Sequence, residues 1–403
     1  MKIAIVGQGY VGLPLAMAAA RVGHKVIGLE LNLEKVALLN SATSYVSDVP
    51  NVELKKYLYE GTYIPQSNFE ELRNCDIVII CVPTPLDDKG EPDLSALRAA
   101  SRNIANNVSD KTLIINESTS YPGTLRREIK PIFDAICPQL DLMFAVSPER
   151  VDPGNTKFNI TNTPRTVSGL SDEAIMKAQN FYSTFCESVS ISKLPEIVEM
   201  AKVFENTFRF VNISLVNELS EICQKFNIST FEVLKVAETK PYGFMRFNPS
   251  LGIGGHCIPI DPMYLSFASH EKGVNSRFIK SAQEINDNNP HRIVTYLEDS
   301  IGRSFSGLRV LILGVAYKSN TSDTRESPAS TLYTNLLRKG CQVAWYDPHV
   351  KEWEFPGKIL EITETYDLII INVWHDDFVS LNLANKSKYI LDCSGNLSSE
   401  LSL

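Results

Sequence analysis

The sequence predicts an α/β protein in which two Rossmann-like doubly wound domains are joined by a central helical domain with one long helix. Three observations predict this. The chain opens on a strand, a glycine turn and a helix; its middle holds about thirty residues without Gly or Pro; and the strand-glycine pattern starts again near residue 308. With 403 residues, 44% of them apolar, the chain can bury more than one core.

In order, KIAIVGQGYVG is a short apolar run ending in a glycine turn, LPLAMAAARVG is helix-like, and KVIGLELN is a second strand, which together make a βαβ unit. CDIVIICVP, TLIINEST and LMFAVSPE continue the strands, with helical stretches such as DLSALRAASRNIANNV between them, as in a parallel sheet covered on both faces. This first domain is expected over residues 1–194. From Pro195, EIVEMAKVFENTFRFVNISLVNELSEICQKF carries apolar side chains at helical spacing and predicts one long helix. A second helical piece is expected over about 263–300, and the loop NPSLGIGGHCIPIDP lies between the two, in a central domain spanning 195–304. GLRVLILGVAYK, LYTNLLRKG, QVAWYDP, YDLIIINVW and KYILDCSG then repeat strand, helix, strand over 305–403, a structural echo rather than a tandem repeat.

Composition narrows the function. The 39 Lys and Arg against 47 Asp and Glu leave a net charge of −8, which disfavours a nucleic-acid partner. Eight cysteines without a CxxC pair point to reduced thiols and a cytoplasmic protein. The apolar runs are far shorter than the ~20 residues that span a bilayer, so no membrane association is expected. Gly7, Gly9, Gly12 and Pro14 interrupt the apolar N-terminus, which therefore reads as strand and helix, not as a signal peptide.

Gly7-Gln8-Gly9-Tyr10-Val11-Gly12 is a GxGxxG at a strand-to-helix turn, where backbone N–H groups can approach a pyrophosphate. Glu30 follows Gly12 by 18 residues at the end of the second strand, placed to accept from both ribose hydroxyls and to repel a 2′-phosphate, so NAD is expected rather than NADP. Thr84, Ser118 and Thr119 follow strands and are expected to offer hydroxyls to the same cleft; Ser118 also reads as a helix cap. Cys257, after two glycines and four residues before Asp261, has the setting of an exposed nucleophilic thiol, whereas Cys81, Cys223 and Cys393 read as buried hydrophobes. No metal is expected, since His256 and Cys257 lack a second ligand pair at zinc spacing. Lys202 and Asn206 share a helix face and can present an ammonium and an amide to a reacting oxygen; Lys202 also reads as a snorkelling surface residue. Glu149 ends a strand, where it can orient or deprotonate a water or merely pair with Arg150. Lys318 and Arg325 stand where the phosphates of a second nucleotide would bind, or form a solvated charge cluster.

Together these residues resemble the nucleotide-sugar 6-dehydrogenases, the UDP-glucose and GDP-mannose dehydrogenase superfamily, over essentially the whole chain. The resemblance rests on GQGYVGLPLA, VPTPLDD, ESTSYPGT, SPER, AKVFENT, GIGGHCIPIDP and YKSNTSDTRESPA in the family's order. SPERVDPGN and GGHCIPIDP are similar to the UDP-N-acetylhexosamine branch. The resemblance implies a four-electron oxidation of a sugar C6 alcohol to a carboxylate with NAD, by way of an aldehyde and a thioester. It implies Cys257 as nucleophile, Lys202 as oxyanion stabiliser, Asn206 as sugar-oxygen holder, Asp261 as proton partner of Lys202, and Glu149, with a water near Thr119, in thioester hydrolysis. For NAD it implies Gly7, Gly9, Val11, Gly12, Glu30, Lys35, Thr84, Thr119 and Arg325. For the UDP-sugar it implies Glu149, Lys202, Asn206, Arg246, Asn248, Gly252, Gly255 and Lys318. The long helix resembles the family's dimerisation element, which implies a homodimer with Arg246 reaching its own or the neighbouring site.

The chain departs from the acetylhexosamine pattern at Arg246, Asn248 and PSLG. UDP-glucose enzymes carry a second acidic residue four positions after Glu149, where this chain has Pro153. The leading expectation is a UDP-N-acetylglucosamine 6-dehydrogenase that makes a surface-polysaccharide precursor. The alternatives are UDP-N-acetylmannosamine or UDP-glucose as substrate, a two-electron β-hydroxyacid dehydrogenase, and a nucleotide-sensing module without turnover.

Overall fold

The computed structural model describes residues 1–152, 155, 157–397 and 401–402; Pro153 lies outside the described residues. The chain divides into two compact units, one of residues 1–205 with 263–272 and one of residues 206–262 with 273–403.

The first unit begins with β1 (Lys2–Val6), α1 (Gly12–Arg21), β2 (Lys25–Leu29), α2 (Leu33–Asn40), α3 (Asn51–Tyr59) and β3 (Tyr63–Gln66). It continues through β4 (Ile77–Ile80), α4 (Ser95–Ala105), β5 (Leu113–Asn116), α5 (Lys130–Ile136), β6 (Met143–Val146), β7 (Arg165–Gly169), α6 (Asp172–Tyr182) and β8 (Val189–Ile191). The strands form an eight-stranded sheet in the order β3-β2-β1-β4-β5-β6-β7-β8. Every residue of β4, β5 and β6 is buried, which is why these strands read as unbroken apolar runs without alternation. Side-chain caps start two of the helices. Asn32 accepts from the backbone N–H of Glu34 and Lys35 at α2, and Ser171 accepts from Ala174 at α6, with Asp172 and Glu173 favourably placed in the first turn.

The long helix is α7 (Pro195–Phe226), 32 residues as expected from its uninterrupted helical spacing. After it come α8 (Thr230–Glu238), α9 (Asp261–Glu271) and α10 (Arg277–Ile301). The division between the two units falls inside α7 and α9. The second unit then holds β9 (Arg309–Leu313), α11 (Pro328–Arg338), β10 (Gln342–Tyr346), β11 (Tyr366–Ile371), β12 (Ser387–Asp392) and β13 (Leu401–Ser402). Its five strands run parallel in the order β10-β9-β11-β12-β13. One face of this sheet packs Val310, Ile312 and Trp345 against Ile293 and Leu297 of α10 and Leu332 and Leu336 of α11. The other buries Leu311, Leu313, Ile369 and Ile371 with Phe378.

The predicted fold class is the observed one, with differences in detail, among them β3, β7 and β8, strands that were not read from the sequence. β7 runs antiparallel to β6, pairing Ala145 with Gly169 and Val146 with Ser168. A parallel neighbour needs a crossover, usually a helix, and the described residues between the two strands contain none. The single helical piece expected over 263–300 is two helices, separated where Gly273 takes φ +75°. Helix α8 was likewise not anticipated. Among the described residues no helix is long and apolar enough to cross a membrane.

Candidate active site

In the first unit the glycine turn lies at the carboxyl end of β1. Gly7 takes φ +95° with its Cα against the Cys81 carbonyl, and a Cβ on Gly12 would overlap the Gly7 carbonyl oxygen, so both positions need glycine. Gly9 has open space where a Cβ would point, which leaves its backbone approachable. Val11 is the N-cap of α1 and supplies no side-chain cap, so the helix N-terminus keeps donors for an anion. Glu30 directly follows β2 and accepts from the Gln8 N–H at 3.2 Å and the Asn32 N–H at 3.1 Å. Lys35 lies over the Tyr45 ring at 5.2 Å, and the Tyr45 hydroxyl donates to the Gln8 carbonyl at 2.7 Å. These residues fit a dinucleotide: a bare turn, an open helix end and a carboxylate at the second strand.

Half-buried Thr84 and Thr119 follow β4 and β5, neighbouring strands of the sheet. Ser118 does not offer its hydroxyl to a cleft. It accepts from the Val82 N–H and donates to the Val82 carbonyl, both at 2.9 Å, and so ties the two loops together.

Glu149, expected to act on a water or to pair with Arg150, pairs with Arg165 of β7 at 2.5 Å, while Arg150 pairs with Glu205. Its Oε1 accepts from the N–H groups of Arg150 and Val151 at 2.7 and 2.8 Å. Burial works against the carboxylate, but Arg165 and these two N–H groups outweigh it and hold its pKa below the ordinary value. Glu149 shares a cavity of about 360 Å³ with Tyr10, Val11 and Pro14 at the start of α1. Glu199 on α7, three residues before half-buried Lys202, accepts from the Gly123 and Leu125 N–H groups at 2.5 and 2.9 Å and so ties that helix to the loop after β5.

In the second unit, Asn206 is buried and donates to Asp261 at 2.6 Å. The Asp261 N–H in turn donates to the Cys257 carbonyl at 2.9 Å, in the turn that starts α9. Cys257 is exposed, whereas the other seven cysteines are buried. Gly255 takes φ +87° against the Tyr317 ring and donates to the Arg325 carbonyl at 3.2 Å, and a Cβ on Gly252 would meet Pro328. The loop after β9 therefore carries Lys318 and Arg325 alongside the glycine loop. Arg325 lies in this unit, paired with Asp323 at 2.5 Å. Burial and the Arg325 charge lower the His256 pKa. Arg246 pairs with Glu238 at 2.8 Å and donates to Asn248 at 3.0 Å.

Sequence reasoning missed Arg165, Glu117, Glu199 and the buried pair of Asp347 and His375, 3.1 Å apart. Asp347 accepts from the Val315 and Ala316 N–H groups at 2.8 and 3.1 Å, and His375 Nδ1 from the Asn320 N–H at 2.9 Å, so the pair shapes the loop that bears Lys318. Burial opposes the Asp347 carboxylate, yet His375 and the backbone donors hold its pKa below the ordinary value. Asp347 was legible only as the end of a strand in WYDP.

The family models of the UDP-glucose/GDP-mannose dehydrogenase family match in series: the NAD binding domain over residues 1–186, the central domain over 196–288 and the UDP binding domain over 311–398. The chain is 33% identical to the UDP-N-acetyl-D-mannosamine dehydrogenase of Methanocaldococcus jannaschii, covering 99% of this chain and 93% of that one. It is 32% identical to the UDP-N-acetyl-D-glucosamine 6-dehydrogenase of Salmonella typhi, covering 97% and 95%. The solved UDP-D-ManNAc dehydrogenase of Pyrococcus horikoshii has a TM-score of 0.88 at 30% identity, covering 97% of this chain and 95% of that one. A bare glycine turn at β1, a carboxylate at the end of β2 and three family domains in register leave one conclusion: the chain belongs to the UDP-glucose/GDP-mannose dehydrogenase family and its N-terminal domain binds NAD.

Proposed function

We propose that the chain is a UDP-N-acetylhexosamine 6-dehydrogenase that oxidises the C6 alcohol of UDP-N-acetyl-D-glucosamine to the carboxylate through a Cys257 thioester. A second reading, UDP-N-acetyl-D-mannosamine as substrate, is favoured by the relatives from Methanocaldococcus jannaschii and Pyrococcus horikoshii. The observation that carries the proposal is an exposed thiol on a glycine loop, one turn ahead of an aspartate that grips Asn206.

NAD⁺, when bound, supplies the hydride acceptor, two per turnover, so that alcohol and water become carboxylate and three protons. In this scheme Lys202 and Asn206 hold the C6 oxygen as it loses its proton, and Asp261 exchanges that proton with Lys202. Cys257 adds its sulfur to the aldehyde carbon, giving a thiohemiacetal that retains one C–H bond to oxidise. Oxidation of that bond leaves a thioester. Glu149, with a water near Thr119, takes the water's proton as its oxygen adds to the thioester carbon, and the C–S bond then breaks to return the thiol.

The proposal extends to NAD contacts from Gly7, Gly9, Val11, Gly12, Glu30, Lys35, Thr84, Thr119 and Arg325, and to substrate contacts from Arg246, Asn248, Gly252, Gly255 and Lys318. It includes the division into domains 1–194, 195–304 and 305–403. It also includes a cytoplasmic homodimer formed through α7, supported by Phe204, Phe208, Leu215 and Ile222, which are exposed at 40–58% along that helix. NADH formation with UDP-GlcNAc, UDP-ManNAc, UDP-GalNAc and UDP-glucose tests the reading. Two NADH per sugar with an N-acetylhexosamine is expected; one NADH per sugar overturns the thioester, and turnover of UDP-glucose alone overturns the substrate class.

A further inference from the structure

Arg165 is the only cation in contact with two carboxylates among the described ion pairs, and all three groups are withdrawn from solvent. Its side chain is 4% exposed, those of Glu117 and Glu149 are 0% and 13% exposed, and the guanidinium lies 4.6 Å from the Tyr182 ring centre. Nη1 reaches Glu117 Oε1 at 2.9 Å and Nη2 reaches Glu149 Oε2 at 2.5 Å. The Tyr182 hydroxyl also donates to Glu117 Oε1, which leaves Oε2 buried with no hydrogen-bond partner.

Two ionised carboxylates on one guanidinium would bury a net negative charge, which is costly away from water. A single proton removes that charge. Glu149 has two backbone donors and some solvent, whereas Glu117 has an unsatisfied oxygen, so the proton resides on Glu117. The groups that face Glu117 are Arg165, Glu149, Tyr182, Cys81 and Cys186. Arg165 is the one cation among them. Burial, with the Glu149 charge adding to it, outweighs Arg165 and pushes the Glu117 pKa to about 7.

We propose that Arg165 is a positioning residue that couples Glu149 to Glu117, so that ionisation of Glu117 draws the guanidinium off Glu149 and makes Glu149 a stronger base. The two carboxylates then titrate as one linked acid. The inference rests on the role proposed for Glu149 in thioester hydrolysis, and it adds a control of that role by a residue that touches no substrate.

The test is carboxyl ¹³C titration of the full-length protein labelled at glutamate, with the Glu149 resonance assigned by its loss in Glu149→Gln. The expected Glu149 curve bends twice, once below the ordinary carboxylate range and again near pH 7 as Glu117 ionises. Glu117→Gln should keep the first bend and lose the second. Arg165→Lys, which cannot span both carboxylates, should raise the first bend and lower kcat by roughly 10- to 100-fold with KM unchanged. Single-turnover thioester hydrolysis should rise through neutral pH in the wild type and stay flat in Glu117→Gln. A single bend in the wild type, or a second bend that persists in Glu117→Gln, overturns the coupling. Hydrolysis unaffected by Glu149→Gln would instead remove the role of Glu149, while the titration still decides whether the carboxylates are linked.

Discussion

Replacing Glu199 with glutamine should make the first unit more stable at alkaline pH, although the glutamate makes two backbone hydrogen bonds. Glu199 is 1% exposed, and burial pushes its pKa from 4.5 to about 7 against the opposing pull of the Leu125 and Gly123 N–H groups. An acid whose pKa is raised by folding binds its proton more tightly folded than unfolded. Its contribution is therefore intact below pH 4.5 and is lost as pH rises through about 7. At 1.36 kcal/mol per pKa unit, that rise costs about 3 kcal/mol. The neutral amide of Glu199→Gln has no proton to lose and escapes this penalty. All three tryptophans, Trp345, Trp353 and Trp374, lie in the second unit, so tryptophan fluorescence is blind to this effect. Urea unfolding read by hydrogen exchange of peptides from β1, β4 and β5, at pH 5 and pH 8, reports on the correct unit. The wild type should lose about 2.5 kcal/mol more than the variant between those two conditions, since a little of the penalty is already felt at pH 5. Equal losses, or a variant weaker at both, would show that Glu199 is held as an ordinary carboxylate and refute the burial argument.

Gly12→Ala should cost about 1–3 kcal/mol of stability, because its methyl group must displace the Gly7 carbonyl, and calorimetry should show NAD binding lost. Cys257→Ser should bind NAD and UDP-sugar with unchanged affinity yet yield no net NADH in a continuous absorbance assay; full NADH output would end the thioester scheme. Leu215→Glu places a charge in the exposed apolar row of α7 and should convert a dimer to a monomer in light-scattering chromatography, whereas a wild-type monomer would remove the α7 interface.

The glycine turn, Glu30 and the buried parallel strands were legible because each is a local pattern: a φ, a strand end, a run of apolar residues. The exposure of Cys257 was legible for the same reason, since two glycines shortly before a cysteine distinguish it from the strand cysteines. Arg165 was not. It sits in TPRTVSG, an ordinary strand sequence, and its partners lie 48 residues and 16 residues earlier in the chain, so only the sheet order brings them together. Glu199 was hidden in a helix whose apolar spacing drew attention to its neighbours, and its backbone partners carry no sequence signature. The reversal of β7 escaped because direction within a sheet is set by the connection, and the Pro-Gly and Asn-Thr-Pro turn signals between β6 and β7 mark a loop without fixing the direction of the strand it leads to.

Seven of the eight cysteines are buried and the remaining one, Cys257, is exposed. A mild electrophile applied to the native protein should therefore mark each chain once, at a single position, and leave the others silent. Stoichiometric labelling followed by intact-mass measurement would thus count folded chains in any preparation, and, under the thioester role proposed for Cys257, protection from that label would report occupancy by ligands that give no optical signal.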